Sequence, residues 1–341
     1  MRILPTNKPL IFMTMGDPSG IGPEVIMRSM ASSGMKGLAI FVVVGDAGVM
    51  KQALGFAGGS KIEIHSAGAG GEEVSPEEGV VNVIDPGKPL KGVVPGKPTD
   101  EGAGKALECL AAAVDLMKGS LDGTPKALVT APVSKERIAR VHPGFIGHTE
   151  YLRDAYSAEL VTMVMVGETL CVVPVTRHIP LSDVASSLNV DLIVTTLAQV
   201  ASSRVIICGK KNARIGVSAL NPHCGEGGKI GKEEISIIAP AIKKAKEIYK
   251  NIEGPVSADV IFYEAMRKKV DIVVSMYHDQ CLSPFKMVDF DRGVNITLGL
   301  GHVRTSPDHG TAFDIAGKGI ARSESMEQAI ILAVRAATLK G

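Results

Sequence analysis

Short apolar runs rich in Val and Ile alternate along the chain with longer segments of helical period. Eight runs read as strands: Leu10–Met15, Leu38–Val44, Ala127–Thr130, Val161–Val166, Leu170–Val175, Arg214–Ala219, Asp271–Met276 and Val294–Leu298. Between them Asp100–Lys118, Val190–Ser203, Glu233–Lys250 and Ser325–Leu339 read as helices. The alternation predicts an α/β architecture with largely parallel, buried strands. The stretch Ser66–Gly104 is rich in Gly, Pro and Glu and reads as surface loops with at most short strands. No repeat, low-complexity tract or flexible linker marks a boundary. Any division into two domains is therefore expected to be tightly packed, with room for the chain to cross between them more than once.

Composition narrows the picture. A chain of 341 residues can bury one large or two medium cores. Aromatic residues make up 4% with no Trp, which argues against a single-strand nucleic-acid binder built on stacking platforms. A formal net charge of +1 supplies no global pull toward nucleic acid or anionic membranes, so any anion site must be local. Five scattered cysteines without a C-x-x-C pair fit neither a disulfide framework nor a thiolate zinc site, and point to a reducing compartment. The opening MRILPTNKPL holds no apolar stretch of signal-peptide length. The run Leu38–Val44, read as the most apolar, is too short to span a bilayer. The expectation is a soluble, cytoplasmic protein with neither membrane nor nucleic acid as partner.

Four local signals carry candidate chemistry. Met15-Gly16-Asp17-Pro18-Ser19-Gly20-Ile21-Gly22-Pro23-Glu24 follows a strand and precedes a helix with Pro23 at its first turn. Its glycines allow close backbone approach, and the helix start offers free N–H groups to an anion or cofactor. The spacing is not that of G-x-G-x-x-G. Taken alone, the loop fits a plain strand-to-helix connection equally well.

Among eight histidines, His148, His178, His223 and His278 stand in polar loops. The last three come within a few residues of strand-like runs, where ligands of open α/β sheets gather. Three imidazoles would leave a metal with open positions for substrate. Their separation along the chain leaves a metal site and three unrelated loop histidines both open. His65, His142 and His302 read as surface or packing residues.

Lys286, Asn295 and Arg304 form a third group, able to converge on phosphate and carboxylate oxygens or to remain solvated surface groups. The fourth is Asp308-His309-Gly310-Thr311-Ala312-Phe313-Asp314-Ile315-Ala316-Gly317-Lys318-Gly319. It reads as a compact loop opening a short helix, suited to an adenine or phosphate contact. Thr311 and Asp314 equally suit helix-capping roles.

Together and in this order, GDPSGIGPE, GHTEYL, NPHCGEGG, MYHDQ, GVNITLGL and RTSPDHGTAFDIAGKG resemble the 4-hydroxythreonine-4-phosphate dehydrogenase family of vitamin B6 biosynthesis. The resemblance runs from about Leu10 to the C-terminal helix. The first and last motifs are also similar to GDGIGPE and HGSAPDIAG elements of isocitrate and isopropylmalate dehydrogenases. This implies a non-Rossmann fold of two α/β/α subdomains flanking a cleft. The expected division is 1–134 with 296–341 as the cofactor-side subdomain and 135–295 as the metal, substrate and dimer side.

The resemblance further implies metal ligands His178, His223 and His278, shared between the subunits of a homodimer. Substrate contacts would come from His148, Thr149, Lys286, Asn295 and Arg304. The RTSPDHGTAFDIAG stretch, with Asp308, His309, Gly310, Thr311 and Asp314, would hold the adenosine end of NAD or NADP, together with Gly16 and Asp17. Three His ligands favour zinc or cobalt, with magnesium or manganese able to substitute in a wet site. Asp279, beside His278, and Asp259 are the candidate second-shell or proton-transfer carboxylates.

The family's reaction oxidises the 3-hydroxyl of 4-phosphooxy-threonine with NAD(P)+, and the 3-oxo acid loses carbon dioxide to leave 3-amino-2-oxopropyl phosphate. Relatives act on 4-phospho-threonate, 4-phospho-erythronate or dihydrodiol carboxylates. Cys224 and Lys229, which depart from the usual loop pattern, bear on that choice. A non-catalytic small-molecule binder on the same scaffold would have no need of the three histidines.

Overall fold

The computed structural model describes residues 8–58, 62–67, 73–119 and 123–340. Residues 1–7 of the opening MRILPTNKPL, read as lacking a signal-peptide stretch, and residues 68–72 of the segment read as loops lie outside these. The chain divides into two compact units, 1–158 with 300–341 and 159–299. The expected crossings stood at 134/135 and 295/296. The helices Lys135–Val141 and His148–Ala155 lie in the first unit, the former packed on the helix Asp100–Lys118. An Arg137–Asp100 ion pair at 3.2 Å joins those two helices.

The first unit contains β1 (Leu10–Thr14), β2 (Ile40–Val44), β3 (Glu63–Ser66), β4 (Val80–Ile84), β5 (Lys126–Thr130) and, from the end of the chain, β12 (Arg304–Pro307). Their order is β3-β4-β2-β1-β5-β12, with every neighbour parallel. β4 intervenes between β2 and β3, unlike the doubly wound dinucleotide fold. LIFMT and IFVVV are buried at every position, as strands covered on both faces must be. The helix Asp100–Lys118 packs on β1, β2 and β5, and Glu324–Lys340 on β1, β5 and β12. Thr99 caps the former by accepting from the Gly102 N–H at 3.0 Å, with Asp100 and Glu101 in the favourable first turn.

The second unit holds β6 (Thr162–Val166), β7 (Cys171–Pro174), β8 (Ile215–Ser218), β9 (Ile252–Val256), β10 (Ile272–Ser275) and β11 (Val294–Leu298) in the order β11-β6-β7-β10-β8-β9. β7, β10, β8 and β9 run parallel, whereas β6 is antiparallel to both neighbours. The short β6–β7 connection allows nothing else, since a parallel pair needs a long crossover. Asp289, nearly buried, holds that turn by accepting from the N–H groups of Glu168, Thr169 and Leu170 at 2.8–3.1 Å. A Cβ at Gly167 would come within 2.2 Å of the same carboxyl group, so glycine is required by close approach.

Two sequence expectations change here. The helix Val190–Cys208 is long and apolar enough to cross a membrane by length and composition, unlike the Leu38–Val44 run first singled out. Ile193, Leu197, Val200 and Ile207 are buried, and the helix packs on β6 and on the helix Ala239–Ala245, so its apolarity serves a core. The segment read as one helix over 233–250 begins with a π turn, Glu234–Ile238, and continues as the α-helix Ala239–Ala245. Pro240 has no N–H to donate to the preceding turn, which favours the wider geometry there.

Candidate functional site

In the first unit, β1 lies between β2 and β5, and the chain leaves the two central strands toward opposite sides. Loops beyond the carboxyl ends of strands at such a point are where α/β sheets bind ligands. Gly16 (φ +77°) permits this approach, since a Cβ would sit 2.5 Å from the Pro132 carbonyl oxygen. The Asp17 N–H donates to that carbonyl at 2.9 Å, and the Ile21 N–H donates to the Thr311 carbonyl at 2.9 Å. The candidate cofactor residues Gly16 and Asp17 thus share a loop seated on the segment holding Asp308, His309, Gly310, Thr311 and Asp314.

Asp17 is buried, with Oδ1 accepting from the Ser19 N–H at 3.0 Å and Oδ2 shielded without a partner. Burial pushes its carboxyl up, against the pull of the Ser19 N–H and Arg137. The expected helix opening near Thr311 is absent. Residues 313–319 form turns, and the final helix starts at Glu324. Positive φ at Ala312, Gly317 and Gly319 breaks any helical run.

Arg304 opens β12 and is 3% exposed. Its Nε and Nη2 both donate to the Thr130 hydroxyl at the end of β5, the former at 3.0 Å. Burial pulls the guanidinium down to about 10, with Glu150 pulling it back up, so it stays cationic at neutral pH. His148 starts the helix His148–Ala155 with Thr149 beside it. Desolvation, then Arg304 and Lys135, hold its imidazole well below the usual range, so it is neutral. Its Nε2 is shielded and has no partner. A desolvated cation beside a neutral imidazole has the chemistry to receive an anion in a nearly neutral chain.

The second unit carries the other histidines. His178 follows β7, His278 follows β10 and His223 follows β8, beyond the carboxyl ends of three adjacent parallel strands. Thr176 Oγ1 donates to the Met276 carbonyl at 2.8 Å, joining the loops after β7 and β10. Gln280 accepts from the Met276 N–H at 2.8 Å and donates to the Ala219 carbonyl at 2.7 Å, joining the loops after β10 and β8. Sequence reading missed Thr176 and Gln280 as braces, although Gln280 lies inside MYHDQ.

The His178 and His278 rings lie 5.6 Å apart between centroids. His223 is not brought to them. Among the described residues of one chain, no three His, Cys, Asp or Glu gather closely enough to hold a metal ion. Each of two histidines has a carboxylate on Nδ1: Asp279 Oδ1 at 2.6 Å from His278, and Glu226 Oε1 at 3.1 Å from His223. A carboxylate there selects the tautomer whose Nε2 lone pair faces outward, the form a divalent metal takes. The donor set therefore fits such an ion.

His223 also lies in unusual backbone. His223, Cys224, Gly225, Glu226 and Gly227 are all left-handed, with φ between 45° and 75°. A left-handed residue with a side chain costs roughly 1–2 kcal/mol, so His223, Cys224 and Glu226 hold a strained conformation. The N-P-H-C-G-E-G-G composition shows glycines but not that the residues between them share their conformation.

The remaining candidates fall in both units. Lys286 stands over the Phe290 ring at 5.0 Å, and Asn295 on β11 has a shielded, unpartnered Oδ1. Both belong to the second unit, whereas Arg304 belongs to the first. Asp259 is exposed and accepts from the Ser257 hydroxyl at 2.5 Å, the main reason its carboxyl lies below the usual range. Of the histidines read as packing residues, His302 meets Tyr156 edge-on with centroids 4.1 Å apart.

The chain and its fold have close counterparts among known proteins. A 4-hydroxythreonine-4-phosphate dehydrogenase of Geobacter metallireducens is 40% identical over 339 residues, 99% of this chain and 98% of that protein. The crystal structure of a 4-hydroxythreonine-4-phosphate dehydrogenase from Klebsiella pneumoniae superposes with a TM-score of 0.82 at 37% identity, covering 96% of this chain and 99% of that one. One from Burkholderia phymatum gives 0.81 at 35% identity, covering 97% and 98%. The family described as pyridoxal phosphate biosynthetic protein PdxA matches residues 38–333. Matched by the family model over residues 38–333 and by a 40%-identical relative over 99% of its length, the chain belongs to the PdxA family of pyridoxal phosphate biosynthetic proteins.

Proposed function

We propose that the chain is a metal-dependent, NAD(P)-linked dehydrogenase that oxidises 4-phosphooxy-L-threonine in pyridoxal phosphate biosynthesis. The observation that carries the reading is the row of His178, His278 and His223 beyond three adjacent parallel strands, two of them with a carboxylate on Nδ1. The names of the relatives supply the substrate. Oxidation converts the 3-hydroxyl to a ketone, with hydride passing to NAD(P)+ and a proton released. The resulting 3-oxo acid loses carbon dioxide and leaves 3-amino-2-oxopropyl phosphate.

The three histidines would hold one divalent ion, zinc, cobalt or magnesium, which lowers the pKa of a hydroxyl bound to it and polarises the ketone. Asp279 fixes the His278 ring. Asp259 is the other candidate for proton transfer, although the Ser257 hydroxyl, by holding its carboxyl below the usual range, makes it the weaker base. Arg304 and Lys286 balance phosphate and carboxylate charge, and His148, Thr149 and Asn295 add hydrogen bonds. The loop of Gly16 and Asp17, with Asp308, His309, Gly310, Thr311 and Asp314, is assigned to the cofactor, whose nicotinamide ring accepts the hydride.

The same reading makes the enzyme a homodimer with ligands shared between subunits. Two histidines meet within one chain and the third does not. Large apolar side chains flank these loops and are exposed in the single chain: Ile179 and Leu181 after His178, Ile230 and Ile235 after His223, and Met287 and Phe290 after Lys286. Such surface suits burial against a second copy. Five free cysteines fit a cytoplasmic location.

The test is NAD+ and NADP+ reduction on 4-phosphooxy-threonine and 4-phospho-threonate in parallel, with and without a chelator. Chelator-sensitive turnover of the amino acid is expected. Turnover of the threonate alone would move the enzyme to sugar-acid catabolism, and silence on both would leave only a binding protein.

A further inference from the structure

The left-handed turn that carries His223 is wound around one buried carboxylate. Glu234 is 3% exposed and sits at the start of the π turn Glu234–Ile238. Its Oε1 accepts from the N–H groups of Leu220 at 2.9 Å and Asn221 at 2.7 Å, where the chain enters the turn. Its Oε2 accepts from Asn221 Nδ2 at 3.0 Å. The same amide reaches Glu233 Oε2 at 2.7 Å. In mid-turn, a Cβ on Gly225 would lie 2.8 Å from Glu234 Oε2 and 2.8 Å from the Gly231 carbonyl oxygen. Thus one carboxylate ties the entry of the turn and sets how closely its middle approaches.

His223 depends on that conformation. Its ring is oriented by Glu226, three residues ahead within the same left-handed run. Were the turn to relax into commoner backbone regions, the His223–Glu226 contact would be lost and Nε2 would no longer hold one direction. A strained backbone persists only where its surroundings over-determine it, and the Glu234 contacts supply that determination here.

We infer that Glu234 is a positioning residue that holds His223 ready to bind the divalent ion, acting through the left-handed turn without touching the ion. The inference rests on the reading of His223 as a ligand, and the experiment separates the two.

Full-length Glu234→Gln, Asn221→Ala and His223→Ala proteins are titrated with Zn2+ against a chromophoric chelator, with Co2+ visible spectra and thermal unfolding of the metal-free proteins recorded alongside. Glu234→Gln keeps the side-chain shape but sets an amide N–H against Asn221 Nδ2. It is expected to weaken Zn2+ binding on the order of 10- to 100-fold and to alter the Co2+ spectrum. Asn221→Ala leaves both backbone bonds to Glu234 and is expected to shift affinity less, in the same direction. It keeps the question answerable should Glu234→Gln fail to fold. His223→Ala is expected to lose tight binding. Wild-type affinity and spectrum in both clamp variants, with binding lost in His223→Ala, would overturn the role of Glu234 alone. Wild-type affinity in His223→Ala would overturn the metal reading, and this inference with it.

Discussion

The carboxylate of Glu24 accepts hydrogen bonds from the backbone N–H of Gly317 at 3.0 Å, joining residues 293 positions apart. Its other oxygen accepts from the Ala321 N–H at 3.1 Å, and the side chain is 2% exposed. The last residue of the GDPSGIGPE motif therefore fixes the end of the DIAGKG motif, and the candidate cofactor loops share one anchor. Glu24→Gln turns one acceptor into a donor facing an N–H. The expected cost is about 1–3 kcal/mol, read as a lower urea midpoint, with a raised KM for the nicotinamide cofactor.

Arg304 is expected to separate affinity from stability. Arg304→Gln removes a desolvated cation that donates to the Thr130 hydroxyl, and the desolvation cost of the charge goes with it, so the urea midpoint should change less than kcat/KM. Lost charge-assisted hydrogen bonds to an anion are worth about 1.5–3 kcal/mol, or roughly 10- to 100-fold in kcat/KM. Arg304→Lys should recover little of it, because one ammonium cannot reproduce the guanidinium fork. Unchanged kcat/KM in both variants would remove Arg304 from the substrate site.

His148 makes stability depend on pH in a defined direction. Its pKa in the folded protein lies well below that of the unfolded chain. Between the two values the unfolded state binds the extra proton, so stability rises with pH in that window and is complete above about 6.5. As pH falls below about 6.5, that contribution should drain away. Urea midpoints at pH 7 and pH 5 should differ more for the wild type than for His148→Gln, which carries no titrating group there.

Asp279 should matter through His278. Asp279→Asn is expected to weaken zinc affinity on the order of 10- to 100-fold, with turnover recovered by added metal. Turnover that stays low at saturating metal would show instead that the carboxylate moves a proton.

The exposed apolar residues offer a test of assembly. Leu181 and Met287 are 71% and 85% exposed in the single chain. Leu181→Glu and Met287→Glu should be harmless in a monomer. In the shared-ligand dimer they should produce a monomer by sedimentation, together with loss of turnover. A fully active monomer would sink the shared site.

Much of this was legible in the sequence, for physical reasons. All eight apolar runs form strands, since burial on both faces writes itself as consecutive Val and Ile. β3, β4, β9 and β12 were not named: EIHS, IEGPV and RTSP are polar or broken by Gly and Pro, with pairing decided by neighbours, while the apolar VVNVI of β4 stands inside the Gly- and Pro-rich stretch read as loops with at most short strands. His178, His223 and His278 stood out because each interrupts an apolar pattern soon after a strand. Glu234 could not stand out, because one more Glu in a helix-like stretch says nothing of a loop 13 residues earlier. The left-handed run was equally hidden, since backbone sign at His223, Cys224 and Glu226 is set by the fold around them.

The return of the chain at residue 300 has a consequence for biosynthesis. The second unit is contiguous, whereas the first waits for β12 and the helix Glu324–Lys340 to complete its sheet and cover it. A nascent chain ending near Gly299 would carry every residue of the later unit while the earlier one exposed the flank of β5 and the bare surface of β1. Order of synthesis and order of completion are thus reversed for these two units, the segment made after the second closing the one begun before it.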